Sequence, residues 1–110
     1  MRARRSFTTV VADATKLRDY CLSEQHPRGR HKARVFHSRL GLSARDADLL
    51  RRALLDAVQT RRDDLVATGN DQHGQRFVLD FQMTTARGSA VIRSGWILPT
   101  GQRVLRFVTC

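Results

Sequence analysis

The stretch Gln75-Arg76-Phe77-Val78-Leu79-Asp80-Phe81-Gln82-Met83-Thr84 sets an apolar side chain at every second position. Phe77, Leu79, Phe81 and Met83 fall on one face, and Val78, Asp80 and Gln82 on the other. That period of two is the mark of a strand buried on one side. Working outward, Asn70-Asp71-Gln72-His73-Gly74 precedes it as a turn, with a strand over about Asp64–Thr68 before that. Ala86-Arg87-Gly88 follows as a second turn, leading to a strand over about Ser89–Leu98. Pro99-Thr100-Gly101 turns again, and Arg103–Thr109 makes the last strand. Short turns between successive strands predict a four-stranded antiparallel meander.

Leu105 and Phe107 belong with the Phe77 face, leaving Arg106 on the other. Either face is open to the third of these strands. If Ile92, Trp96 and Leu98 point inward, Arg93 stands outward beside Arg106. The open face then carries two arginines, one carboxylate and one amide.

Upstream of residue 62 the period changes to that of a helix. Ser43-Ala44-Arg45-Asp46 is a cap signature, and Ala47, Leu50, Leu54, Ala57 and Val58 form one apolar stripe on a helix running to about Thr60. Ala33, Phe36 and Leu40 predict a helix over about Arg30–Leu40, with Gly41 just past its end. Asp13 can cap a helix to about Leu22, and Phe7–Val11 is β-branched enough for a short strand. Residues 1–6 read as a basic disordered arm and 7–110 as one α+β domain, two to three N-terminal helices packed on one face of the sheet. A chain of 110 residues has room for one ordinary core.

Charge is the unusual property. Lys plus Arg total 20 against 10 Asp plus Glu, a formal net charge of +10. Lys16 and Lys32 are the only lysines. Arginine grips phosphate through a planar fork and stacks on bases, so a polyanion, RNA above all, is the expected partner. Arginine-rich codon usage is the plain alternative. The charge is uneven, however: residues 1–34 hold nine cations and three anions, whereas residues 63–110 hold five and four.

Two cysteines, Cys21 and Cys110, are too few for a disulfide framework and lie in no metal-ligand spacing. No metal and no cofactor is expected, because carboxylates are sparse and no phosphate-cradling glycine loop occurs. No apolar run approaches the length of a membrane span, and no signal-peptide core follows the basic start. The expected setting is cytoplasmic.

The densest constellation is His26-Pro27-Arg28-Gly29-Arg30-His31-Lys32-Ala33-Arg34. Four full cations and two histidines lie within nine residues, at a loop entering a helix. Backbone N–H groups there favour anions, but cationic side chains oppose the same dipole. Such a local cost points to function, although a solvated basic loop is the simpler account. Arg28, Arg30, His31 and Arg34 are candidate nucleic-acid contacts. Cleavage of RNA by its own 2′-hydroxyl needs a base, an acid and cations facing the phosphate. His26, Lys32, Arg93 and Arg106 are the candidates for that chemistry, and none requires a metal. Trp96 is a candidate for stacking a base, with a core position the stronger alternative. Thr109 is a candidate phosphate donor, or an ordinary strand residue.

The segments Lys16-Leu17-Arg18-Asp19-Tyr20-Cys21-Leu22, His26 to Phe36, Gln75 to Val78, Val91-Ile92-Arg93-Ser94-Gly95-Trp96-Ile97 and Arg106-Phe107-Val108-Thr109-Cys110 together resemble a small bacterial family, a domain of unknown function. That resemblance implies short stand-alone proteins encoded beside a small partner gene, and C-terminal modules of secreted polymorphic toxins. Toxin–antitoxin or toxin–immunity biology follows from it, with an acidic antitoxin or immunity protein as partner. The order of helices then strands also resembles the RelE, barnase and EndoU-like metal-independent ribonucleases, an analogy of fold. Carried over by motif, the residues are His26, Lys32, Arg93, Trp96, Arg106 and Thr109. Three readings stand: a metal-independent ribonuclease toxin, a non-catalytic RNA- or DNA-binding module, or a module that docks an acidic protein.

Overall fold

A computed structural model describes residues 7–110; the basic arm expected over residues 1–6 lies outside the described residues. The architecture is α+β, with three helical segments and a five-stranded, mostly antiparallel sheet. The strands are β1 (Thr9–Val11), β2 (Val66–Asp71), β3 (Gly74–Thr84), β4 (Ser89–Pro99) and β5 (Val104–Thr109), in the order β1-β5-β4-β3-β2. The helices are α1 (Ala14–Lys16, continued as a π-helical turn over Leu17–Cys21), α2 (Arg30–Leu40) and α3 (Ala47–Thr60).

The expected sheet of four strands gains a fifth. β1 pairs in parallel with β5, Val10 opposite Leu105, so the sheet is mixed rather than a pure meander. The segment before it is tied to the same neighbour, because Thr8 N–H donates to Arg103 O at 2.8 Å. The other edge differs too. β2 begins at Val66 and runs on to Asp71, through residues that read as a turn. The reversal is confined to Gln72-His73, with Asp71 opposite Gly74. Asp71 makes this tight turn work: its Oδ1 accepts from His73 N–H at 2.8 Å and Gly74 N–H at 3.2 Å. Gly74 sits at φ +145°, and a Cβ there would strike the Leu98 carbonyl, so only glycine fits.

The chain divides into two compact units. The first comprises the described N-terminal segment through Ala12, Leu54–Asp80 and Arg93–Cys110. Its interior holds Phe7, Leu54, Val58, Leu65, Phe77, Leu79, Trp96, Leu105 and Phe107, all buried. Alternation along β3 and β5 is as the sequence reads: Phe77 and Leu79 buried, Asp80 exposed; Leu105 and Phe107 buried, Arg106 exposed. β4 takes the register that buries Ile92 and Trp96 and exposes Arg93. Ser94 is the one buried polar residue of the described core. Its hydroxyl donates to Leu79 O at 2.8 Å and accepts from Trp96 Nε1–H at 2.9 Å, so both buried polar groups are satisfied. Trp96 meets Phe107 edge-on at 5.5 Å between ring centres. Arg62 donates to Phe7 O at 3.1 Å and lies 4.0 Å over the Phe7 ring.

The second unit comprises Asp13–Ala53 and Phe81–Ile92. Leu17, Cys21, Ala33, Phe36, Leu40, Leu42, Ala47 and Leu50 are buried in it. Asp13 caps α1 by accepting from Thr15 N–H at 2.8 Å. Asp46, though shorter than glutamate, reaches back to Ser43, accepting from its N–H at 2.9 Å and its hydroxyl at 3.2 Å. A single 3-10 turn over Ala44–Asp46 then leads into α3. Both cysteines are buried, and neither is in a disulfide. No helix among the described residues is long and apolar enough to cross a membrane.

Candidate nucleic-acid interface

α2 is held at both ends. At its N-terminal end His26 folds over the entering loop, its Nδ1 accepting from Arg28 N–H at 3.0 Å and Gly29 N–H at 3.1 Å. The imidazole packs edge-on against Tyr20, ring centres 4.5 Å apart. Gly29 is needed for closeness rather than for a special φ: a Cβ would fall on the Tyr20 carbonyl oxygen. The π-helical turn carries that carbonyl, Tyr20 lying within Leu17–Cys21.

At the C-terminal end Gly41 adopts φ +69°, and its N–H donates to His37 O, a left-handed cap. The β3–β4 turn supplies the remaining donors. Thr85 hydroxyl donates to Leu40 O at 2.7 Å, and Arg87 Nε to Ser38 O at 3.3 Å. Carbonyls that a helix end leaves orphaned are thereby satisfied.

Between these anchors α2 buries Ala33, Phe36 and Leu40 and exposes Arg30, His31, Lys32, Arg34, Val35, His37, Ser38 and Arg39. Its first turn holds no acid. The 21 residues from Gln25 to Arg45 contain six cations and not one carboxylate. Arg28, Arg30 and Arg34 are exposed and form no ion pair with any described residue. Their field is therefore not cancelled locally.

His26 has a structural task that its sequence context did not announce. Because Nδ1 accepts two N–H bonds, the neutral ring carries its proton on Nε2. In this conformation Nε2 is a donor, not a base.

The sheet candidates lie in the other unit. Arg93 is exposed but engaged: Nε and Nη2 donate to the two Asp80 oxygens at 2.9 and 3.0 Å. The hydrogen bond from Arg93, and then its charge, hold the Asp80 carboxyl below its ordinary range. A side-on pair of this kind leaves the Nη1 end of the guanidinium for another anion. Arg106 is exposed opposite Ile97 and Val11. Thr109 is half-buried opposite Gly95. Trp96 is only 1% exposed, with its N–H taken by Ser94. The base-stacking role considered for it has no open ring face here, and the core alternative is the one observed. His26, Arg28, Arg30, His31, Lys32 and Arg34 thus belong to one unit, and Arg93, Trp96, Arg106 and Thr109 to the other. Residues to which the sequence reading gave no role are Tyr20, Arg39 and Arg45; Asp80 it placed on the open sheet face, though not as the partner of Arg93. Counting the carboxylate-free interval would have found Arg39 and Arg45. No group of three or more His, Cys, Asp or Glu side chains placed to hold a metal occurs among the described residues.

A family model described as a domain of unknown function matches residues 5–110. The chain belongs to the DUF6883 family. The DUF6883 match takes in both units, the basic α2 segment and the sheet alike. No curated protein and no solved structure is matched by the chain.

Proposed function

We propose that this DUF6883 chain is the toxin of a bacterial toxin–antitoxin or toxin–immunity pair, and that it grips RNA through the loop before α2 and the exposed face of α2. The observation that carries the RNA contact is the set Arg28, Arg30 and Arg34: exposed, without an ion pair to any described residue, and carried by the loop before α2 and by α2 itself, a helix anchored at both ends. A backbone anchored in this way needs little reordering to present these cations to phosphate. Release of counterions from the polyanion drives the association. An acidic antitoxin or immunity protein fits the same surface by charge, which would make its binding competitive with RNA.

The stronger form of the proposal is metal-independent cleavage of the bound RNA. Arg93 supports it, because Asp80 orients its guanidinium while leaving one end open. Arg93 and Arg106, both of the sheet unit, would then stabilise charge on the phosphate. His26 could act as acid or base only once the loop releases Nδ1.

The test incubates the pure protein with diverse RNAs, ribosome-bound ones included, in EDTA, while binding is followed in parallel. Cleavage abolished by Arg93→Ala, with RNA binding retained and the fold unchanged by circular dichroism, supports the enzyme. Binding without cleavage leaves a non-catalytic RNA-binding module. Neither binding nor cleavage refutes the RNA assignment altogether.

A further inference from the structure

The positions of the aromatic rings narrow the kind of polynucleotide that the α2 surface suits. Proteins that hold single strands combine a basic groove with aromatic platforms, each stacked base contributing about 1–3 kcal/mol. This chain has five Phe, one Tyr and one Trp. Phe7, Phe36, Phe77, Phe81, Trp96 and Phe107 are all buried. Tyr20 is half-buried, with His26 set against its ring. No Phe, Tyr or Trp is therefore left as an open platform. The exposed rings on α2 itself are the imidazoles of His31 and His37, which are smaller surfaces for a base. What α2 offers instead is charge: Arg28 just before it and Arg30, Lys32, Arg34 and Arg39 along it, with no carboxylate among them.

Charge without stacking favours the target with the denser phosphate array. α2 has 11 residues, a length of about 16 Å at 1.5 Å per residue. Over such a length a double helix presents roughly ten phosphates and one of its strands roughly five. The counterion release per neutralised phosphate is also larger for a duplex, about 0.9 against about 0.7 for a single strand. The anchoring of α2 at both ends adds to this preference. Cations borne on an anchored helix match the fixed backbone of a duplex, whereas a flexible strand must itself be ordered on binding.

We infer that the α2 surface recognises the phosphate backbone of a double-helical polynucleotide, not the bases of a single strand. This rests on the RNA contact proposed above and names its substrate class. The recognition is indifferent to sequence, since phosphate contacts position a protein without reading bases.

Fluorescence anisotropy with the full chain tests it at one fixed salt concentration. The probes are duplex RNA, duplex DNA and single-stranded RNAs of equal length, the single strands being unstructured purine and pyrimidine homopolymers. The expected result is duplex binding about tenfold tighter than single-strand binding, the counterion difference compounded over several phosphates. Base composition should have no effect. Duplex DNA bound as tightly as duplex RNA identifies the shared phosphate backbone as the target. Duplex RNA bound alone identifies the A-form groove with its 2′-hydroxyls. Single strands bound as tightly as duplex, or affinity that follows base identity, overturns the inference while leaving an RNA-binding surface in place. Absence of binding to every probe overturns that surface as well. His31→Ala is the control for stacking: if it selectively removes single-strand binding, an imidazole is the platform and the inference is wrong.

Discussion

Replacing Ser94 with alanine should be among the most damaging small substitutions in the chain. Ser94 is fully buried, and its hydroxyl bridges Leu79 O at 2.8 Å and Trp96 Nε1 at 2.9 Å. Each intramolecular hydrogen bond contributes about 1 kcal/mol net, and a buried donor stranded without an acceptor costs about 1–3 kcal/mol more. Trp96, itself 1% exposed, cannot turn its N–H to water without leaving Phe107. The expected loss is about 3 kcal/mol, which lowers Tm by roughly 12 °C at about 4 °C per kcal/mol for a chain of this size. Urea unfolding followed by tryptophan emission reads it directly, because Trp96 is the sole tryptophan. A second cycle isolates the cause. In a Trp96→Phe background, followed by circular dichroism, Ser94→Ala should cost about 1–2 kcal/mol less, because no indole N–H remains to be stranded. A loss under about 1 kcal/mol in the wild-type background, or equal losses in both backgrounds, would refute the bridging role.

Gly29→Ala should destabilise by about 1–3 kcal/mol through the clash with the Tyr20 carbonyl, read as a lower denaturation midpoint; an unchanged midpoint removes the close approach. His26→Ala should expose the Arg28 and Gly29 amides, so their hydrogen exchange quickens while the α3 amides keep their protection. His26→Asn, which offers a carbonyl oxygen in the same region, should restore part of it. Asp80→Asn tests the cross-strand pair by pH. The folded-state pKa of Asp80 lies below its ordinary value of 3.8, so the pair stabilises the protein above that value. The advantage is lost as pH falls through the lower, folded-state pKa. Wild type should therefore exceed Asp80→Asn slightly at neutral pH, the side chains being largely exposed, and match it in strong acid; a gap that widens on acidification contradicts the assignment.

Local periodicity made most of the secondary structure legible. Phe77, Leu79, Phe81 and Met83 alternate strictly, and Ala47, Leu50, Leu54, Ala57 and Val58 keep a helical stripe, because each pattern follows from one buried face. β1 escaped as a sheet member because its partner is β5, almost the whole chain away, and three residues hold no period. β2 outran its expected end because Asn70 and Asp71 are turn formers by habit. Here Asp71 uses its carboxylate to close a tighter turn one step later. The basic loop was legible as a cluster of cations. The division of labour within it was not, since the use of His26 and Gly29 depends on Tyr20 in a separate turn of chain. Trp96 was ambiguous for a similar reason: the parity of β4 is fixed by its neighbours and by the Ser94 bridge, not by its own residues.

The central claim is that Arg28, Arg30 and Arg34 meet polynucleotide phosphates, and the slope of log K against log salt measures it most directly. Replacing all three with alanine removes three exposed charges, so the magnitude of the slope for duplex RNA should fall by about 2.7, at about 0.9 per phosphate contact. The fold, read by tryptophan emission, should be unaltered. A slope unchanged by the triple substitution would place the RNA contact elsewhere on the protein and contradict the account.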